Sequence, residues 1–477
     1  MISFDTYTLE AFVQEENLFF TGARISKIQQ PSRREFLITL RNSGENRQLY
    51  INIQPQFYHI CFAKPETLKK RQIENPKQPP MFCMLLRKYI ENSKIAKVNT
   101  VKGDRIFELL IETYNEIGEK IYLCLAIELM GKHSNVILYN TDTDIIIGCA
   151  HNVGSDKSRA REVYGGIPYV YPPSPISLNQ NFKSLISEYK SENNSSINNF
   201  IDNYYSQFIY KDKFGKLKNK YLTTASNKLK KVTKSLDEMN KKILSDGDND
   251  KYRLYGDLLM ANLYQLKDFS QEAKVYDYEN NKNIQIPLNN TKTIKENANK
   301  FYKLYNKGKT AKEKLSDLIN LYTMQKKYYE QLLYSVESAE NMDDLLEISP
   351  EIEEDKNKNK TEKSKSSEIR NIDKNNGTKI YIGKNNKQND YIISKLAANE
   401  DLWFHTKDCP GSHILLKTQH VTDELILECA KLAKENSQGK NSSKIGVIYT
   451  QRKYLRKPPK ANLGYVTYKN EKEIIID

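Results

Sequence analysis

His405, Cys409 and His413 stand four residues apart, the spacing at which one helix face would carry three metal ligands. Pro410 and Gly411 lie between them and forbid that helix, so the spacing gives no metal site. Ser412 and His413 are adjacent, and neighbours on an extended chain point apart, so they make no nucleophile–base pair. The chain has no G-x-S-x-G elbow, P-loop, H-E-x-x-H or G-x-G-x-x-G, the patterns that would announce common catalytic or cofactor sites. No catalytic residue, metal or cofactor is therefore expected.

RNA binding reads better. The stretch DLWFHTKDCPGSHILL (401–416) holds the chain's single Trp. Near the end, QRKYLRKPPKANLGYVTYK sets Arg452, Lys453, Arg456, Lys457 and Lys460 among Tyr449, Tyr454, Tyr465 and Tyr468. Cations for phosphates interleaved with rings for stacking suit an RNA surface. Trp403, His405 and Lys407 add to it. Strand alternation puts Trp403 and Phe404 on opposite faces, so at least one of the two is expected in a core.

Composition points the same way. The 477 residues suffice for roughly three domains of about 150 residues. Lys and Arg number 74 against 60 Asp and Glu, a formal charge of +14. That excess suits a polyanionic partner, although a Lys/Asn-rich composition alone would produce it too. The start MISFDTYTLEAFVQEE is acidic and lacks a long apolar core, so no signal peptide is expected. No run reaches the roughly 18 apolar residues of a membrane span. Six scattered cysteines without a C-x-x-C pair read as reduced thiols, and the expected location is cytoplasmic.

The elements that must position these residues read as a multidomain α+β chain. Residues 1–175 form an α+β unit built on a meander, with a hairpin at Ser43-Gly44 and paired strands joined at 115–119. Residues 176–210 are a polar connector. From 211 to 345, apolar residues at three-four spacing predict an antiparallel coiled-coil arm with a tip insert at about 250–298. A run such as 304–336 spans about 50 Å. The first arm helix is Lys-rich, which suits either phosphate contact or a solvated face. Residues 346–376 form a linker with almost no apolar residue, expected to stay unordered. Residues 377–477 form a small α+β domain.

PPMFCMLLRKYIENSKI, GDRIFEL and IELMGKHSNVILYN resemble the N-terminal domain of the NFACT family. DLWFHTKDCPGSHILL and YTQRKYLRKPPKANLGYVTYKNEKEI resemble that family's RNA-binding domain, and KYRLYGDLLMANLYQL matches its arm tip. The resemblance implies a factor for ribosome-associated quality control rather than an enzyme. Such a factor binds large ribosomal subunits (rRNA) obstructed by peptidyl-tRNA and recruits charged tRNA, alanyl-tRNA in bacteria. It thereby drives mRNA-independent tailing of the stalled peptide, with room for a small RNA-binding partner protein and no membrane contact.

The family's tailing residues fall on Asp104, Arg105 and Asp5, the last followed here by Thr6 where the family has Gly. Further residues for RNA contact, or for shaping that surface, fall on His133, Ser134, His405, Lys407, Asp408, Gly411, Ser412 and His413. One departure stands out: typical members carry a helix-hairpin-helix domain where this chain has only its connector. Two other readings stay open, a subunit-docking factor without tailing and a fibronectin-binding surface adhesin.

Overall fold

The computed structural model describes residues 4–477 except 72, 157, 159, 174–183, 192–195, 246–248, 354–368, 375–376 and 460. The chain divides into two compact units, Met1–Lys213 and Phe214–Asp477.

In the first unit, helix Thr6–Phe20 precedes a nine-stranded antiparallel sheet. Two meanders, spanning 24–63 and 94–149, meet edge to edge where Arg24 pairs with Lys94. The hairpin at Ser43-Gly44 forms, both residues having positive φ (48° and 84°), as a tight two-residue turn requires. Strands Ile106–Tyr114 and Lys120–Glu128 pair around the 115–119 turn, where the Asn115 side chain accepts from the amides of Ile117 and Glu119. Phe12, Phe20, Phe62 and Phe107 meet in the core, with ring centroids 5.0–6.5 Å apart.

The connector expected over 176–210 is not simply polar. A 49-residue helix, Ile197–Ser245, begins within it, and Ile197, Phe200, Ile201, Tyr205 and Ile209 belong to the first unit's core. These apolar residues keep helical spacing, diluted by Asn and Ser between them. Asp202 anchors this part of the helix. It is fully buried, pairs with Arg71 at 2.8 Å, and accepts from Lys64 N and Thr67 Oγ1.

In the second unit the rest of that helix runs antiparallel to Ile294–Ser338. Lys228 Nζ lies 6.0 Å from the Tyr329 ring, and Asn249 sits against Gly308. Tyr221, Ala225, Val232 and Leu236 are buried at alternating four- and seven-residue steps. On the return helix the expected seam is less complete: Leu304 and Leu318 are exposed, whereas Leu332 and Val336 are buried. A two-helix hairpin offers each residue one neighbour helix only. Burial therefore concentrates where helix Met342–Ile352 joins the cluster at the arm's base and where helix Asp250–Ala261 and the hairpin Glu272–Asp277/Lys282–Pro287 cap its tip.

The C-terminal domain is a six-stranded antiparallel sheet in the spatial order Arg370–Asp373, Lys379–Ile382, Ile414–Lys417, Leu402–Thr406, Ile445–Gln451, Lys472–Ile476. Helix Asp423–Glu435 covers one face. The domain thus starts at its first strand, before 377. Most of the expected linker lies outside the described residues, and its beginning is the helix Met342–Ile352. That helix fastens the domain to the arm. Buried Glu347 and Glu351 accept from the amides of Gln388 and Asn386, and Tyr328 Oη donates to Glu351.

Candidate nucleic-acid interface

In the first unit, Gly103 (φ +80°) turns the chain into strand Ile106–Tyr114. Asp104 follows, 9% exposed, and its carboxylate accepts from Arg105 N at 2.7 Å. Arg105 O accepts from Leu129 N, which ties the corner to the segment preceding Gly131–His133. The half-buried Arg105 guanidinium donates to Tyr58 Oη at 2.9 Å and lies 5.4 Å from the Tyr58 ring. Asp104 therefore sets the backbone and Tyr58 holds the guanidinium, so the planar fork is fixed before any ligand arrives. Such a fork suits a phosphate or a base edge.

The neighbouring candidates divide. His133 is exposed in the short turn Gly131–His133. Ser134 is buried, and its hydroxyl accepts from Met130 N at 2.8 Å, so it shapes the turn rather than reaching RNA. Asp5 caps helix Thr6–Phe20, accepting from Thr8 N at 2.8 Å and Thr8 Oγ1 at 2.6 Å. That satisfies an otherwise orphaned amide, a role for which a following Gly is not needed.

In the second unit, alternation along Leu402–Thr406 separates the rings as expected. Phe404 enters the core beneath helix Asp423–Glu435. Trp403 takes the other face with Ile393, Ile448 and Leu455. At 2% exposure it cannot stack a base directly. It backs the half-buried His405 instead, rings parallel at 5.7 Å, while His413 stands perpendicular to both at 5.2 and 5.1 Å. Burial pushes the His405 imidazole down to about 4, and burial with the nearby His405 lowers His413 as well. Both rings are neutral at physiological pH. Trp403 Nε1 and His413 Nδ1 are buried without partners.

Gly411 and Ser412 are buried too. A Cβ at Gly411 would meet Ser437 Cβ and Thr406 Oγ1 at 2.9 Å, so the glycine permits close packing. Asp408 (φ +60°) and Lys407 are exposed, with Lys407 paired to Glu473 at 2.7 Å.

The basic loop divides similarly. Arg452 Nε donates to Ile393 O, Lys453 pairs with Glu400, and Lys457 with Asp390. Among the described residues Arg456 is exposed and has no side-chain partner, whereas Lys460 lies outside them. Sequence reading missed Gln331 on the return helix, whose Oε1 accepts from Gly411 N at 2.9 Å; no linear spacing signals that contact. Among the described residues no cluster of three His, Cys, Asp or Glu could hold a metal, and no helix is long and apolar enough to cross a membrane.

Comparison with known proteins places this geometry in context. The family model described as NFACT N-terminal and middle domains matches residues 5–188 and 178–369, and that of the NFACT protein RNA binding domain matches 369–470. The chain is similar to the Rqc2 homolog RqcH of Bacillus subtilis, 27% identical over 564 aligned residues that cover 100% of this chain and 98% of the relative. A Streptococcus pneumoniae protein of the same description is 29% identical over 548 residues, 99% and 97% covered. Among solved structures, the C-terminal part of the fibronectin/fibrinogen-binding protein from Streptococcus suis matches 56% of this chain and 95% of its own, at 26% identity and a TM-score of 0.44.

Proposed function

The chain belongs to the NFACT family of RNA-binding factors in ribosome quality control, and from that premise we propose that it acts on large ribosomal subunits obstructed by peptidyl-tRNA. There it recruits charged tRNA, alanyl-tRNA by family expectation, for mRNA-independent elongation of the stalled peptide. The observation that carries this reading is the family match running from the N-terminal domain through the RNA-binding domain in one chain. Peptide-bond formation belongs to the ribosome, so the factor supplies binding and positioning alone, and the expected compartment is the cytoplasm.

Within this reading, Arg105 clamps the tRNA with its guanidinium fork, and Asp104 holds the corner that presents it. The Trp403–His405–His413 face and Arg456 make a second contact, to RNA of the obstructed complex. The test is a paired substitution, Asp104→Ala with Arg105→Ala, measured for subunit co-sedimentation and for tail length. Binding retained with tails abolished is the expected result; tails of normal length would remove the assignment.

One observation favours a second reading. The alignment to the Bacillus subtilis relative spans 564 positions against 477 residues here, so the relative has residues without a counterpart in this chain. That fits loss of the helix-hairpin-helix domain. A protein that docks on the subunit without supporting tailing would follow if the lost domain held the tRNA. Presence or absence of tRNA in the ribosome-bound complex separates the two.

A further inference from the structure

The first unit contains a cleft of about 960 Å³ whose lining includes the Met130–Ser134 turn but not Asp5, Asp104 or Arg105. Its floor is apolar, formed by Phe82, Leu85, Ile147, Val153 and Val163. Its rim is cationic, with Arg33, Arg34, Lys132 and Arg161, and no Asp or Glu among the described residues lining it. Arg161 is engaged by Glu128 and by Val170 O. Arg33, Arg34 and Lys132 have no acidic partner among the described residues, so the rim carries uncompensated positive charge.

Two enclosed polar atoms on residues lining the cleft are also unsatisfied. Gln30 is 4% exposed, and its Oε1 has no hydrogen-bond partner. His151 Nε2 is buried without one. Burial, with Arg34 and Arg33 nearby, keeps the His151 pKa below its ordinary value, so at neutral pH its ring offers one donor and one acceptor. Buried polar atoms left unpaired are costly, and a carbonyl oxygen such as Gln30 Oε1 can be satisfied only by a donor.

An occupant must therefore combine an anion for the rim, a flat apolar body for the floor and an N–H-bearing edge for Gln30 and His151. A fatty acid lacks the edge, and inorganic phosphate lacks the flat body. We propose that this cleft is a nucleotide-binding site, in which the base lies on Phe82 and Leu85 with its edge toward Gln30 and His151, and the phosphate meets Arg33, Arg34 and Lys132. Its volume falls within the range of ordinary ligand pockets. The nucleotide is either an unpaired residue of an RNA strand or a free nucleoside phosphate. The RNA source rests on the RNA-binding reading above; the free source does not.

Fluorescence anisotropy with the full-length protein tests this. The probes are fluorescein-labelled RNA octamers of A, C, G or U, and fluorescent analogues of ATP and GTP. Wild type is expected to prefer one base, either among octamers (RNA source) or between mononucleotides (free source). Arg33→Ala with Arg34→Ala should lower affinity for the preferred probe by about tenfold or more. Gln30→Leu with His151→Phe, which leaves charge untouched, should abolish the preference.

Wild-type binding without any base preference, or preference retained in the Gln30/His151 variant, overturns the proposal. Unchanged melting curves exclude misfolding of the variants, and Arg33→Lys with Arg34→Lys, which keeps the charge, should restore most of the affinity. Subunit co-sedimentation of the same proteins keeps the two readings apart. A wild type that co-sediments but shows no base preference defeats the cleft alone, and one with base preference that does not co-sediment defeats the ribosomal role alone.

Discussion

His405 shows how burial rather than exposure organises the candidate RNA face. Its ring packs against both Trp403 and His413, and desolvation holds its pKa near 4 against about 6.5 in an unfolded chain. The unfolded state therefore binds a proton first as pH falls. The neutral ring's contribution is whole above about pH 6.5 and is lost as pH drops toward 4. Thermal melts of the second unit's transition should fall across that window, and His405→Phe should flatten the slope; an unchanged slope would show that His405 is not the group involved. Trp403→Ala should cost about 3–5 kcal/mol by leaving a large void, read from denaturant midpoints, and a near-neutral effect would place Trp403 outside the core. The opposite facing of Trp403 and Phe404 could be read from sequence because strand alternation is local. The capping of helix Thr6–Phe20 by Asp5 and the inward turn of Ser134 could not, since both depend on where a helix or turn begins.

Among the elements, the helix Ile197–Ser245 carries a buried ion pair beside its apolar contacts to the first unit's core. Arg71 and Asp202 are both fully buried, and the Arg71 guanidinium lies 4.5 Å from the Tyr50 ring. Removing one partner of such a pair leaves an uncompensated buried charge. Asp202→Ala should therefore cost about 3–5 kcal/mol, measurable by urea unfolding. Arg71→Met with Asp202→Leu should be milder, and a double variant as damaged as the single would contradict the charge argument. Periodicity showed the arm but placed its start near 211, because the Asn- and Ser-rich turns around Phe200 and Tyr205 mask the apolar stripe. The return helix begins at Ile294, ahead of the run read from 304, with Thr293 and Glu296 forming a reciprocal capping box at its start. In the loop that follows strand Ile445–Gln451, acidic partners occupy Lys453 and Lys457 while Arg456 is exposed. Arg456→Ala should weaken RNA binding and lower the salt slope by about one, whereas Lys453→Ala should change it less; equal effects from both would show that the ion pairs open on binding.

Across the whole molecule, order of domains was the most legible feature, since long motifs survive where contacts cannot be inferred. The fastening of the C-terminal domain to the arm through Glu347 and Glu351 was invisible, because it joins residues on either side of a low-complexity stretch. A formal charge of +14 makes any ribosome association sensitive to salt, so binding comparisons belong at one fixed ionic strength. The most direct test of the central claim is a tagged pull-down from cells with sequencing of the bound RNA, for wild type and for Asp104→Ala with Arg105→Ala. The account predicts large-subunit rRNA without small-subunit rRNA in both, and one enriched tRNA class in wild type that disappears in the double variant. Recovery without any rRNA, or with both subunits' rRNA in equal measure, would contradict it.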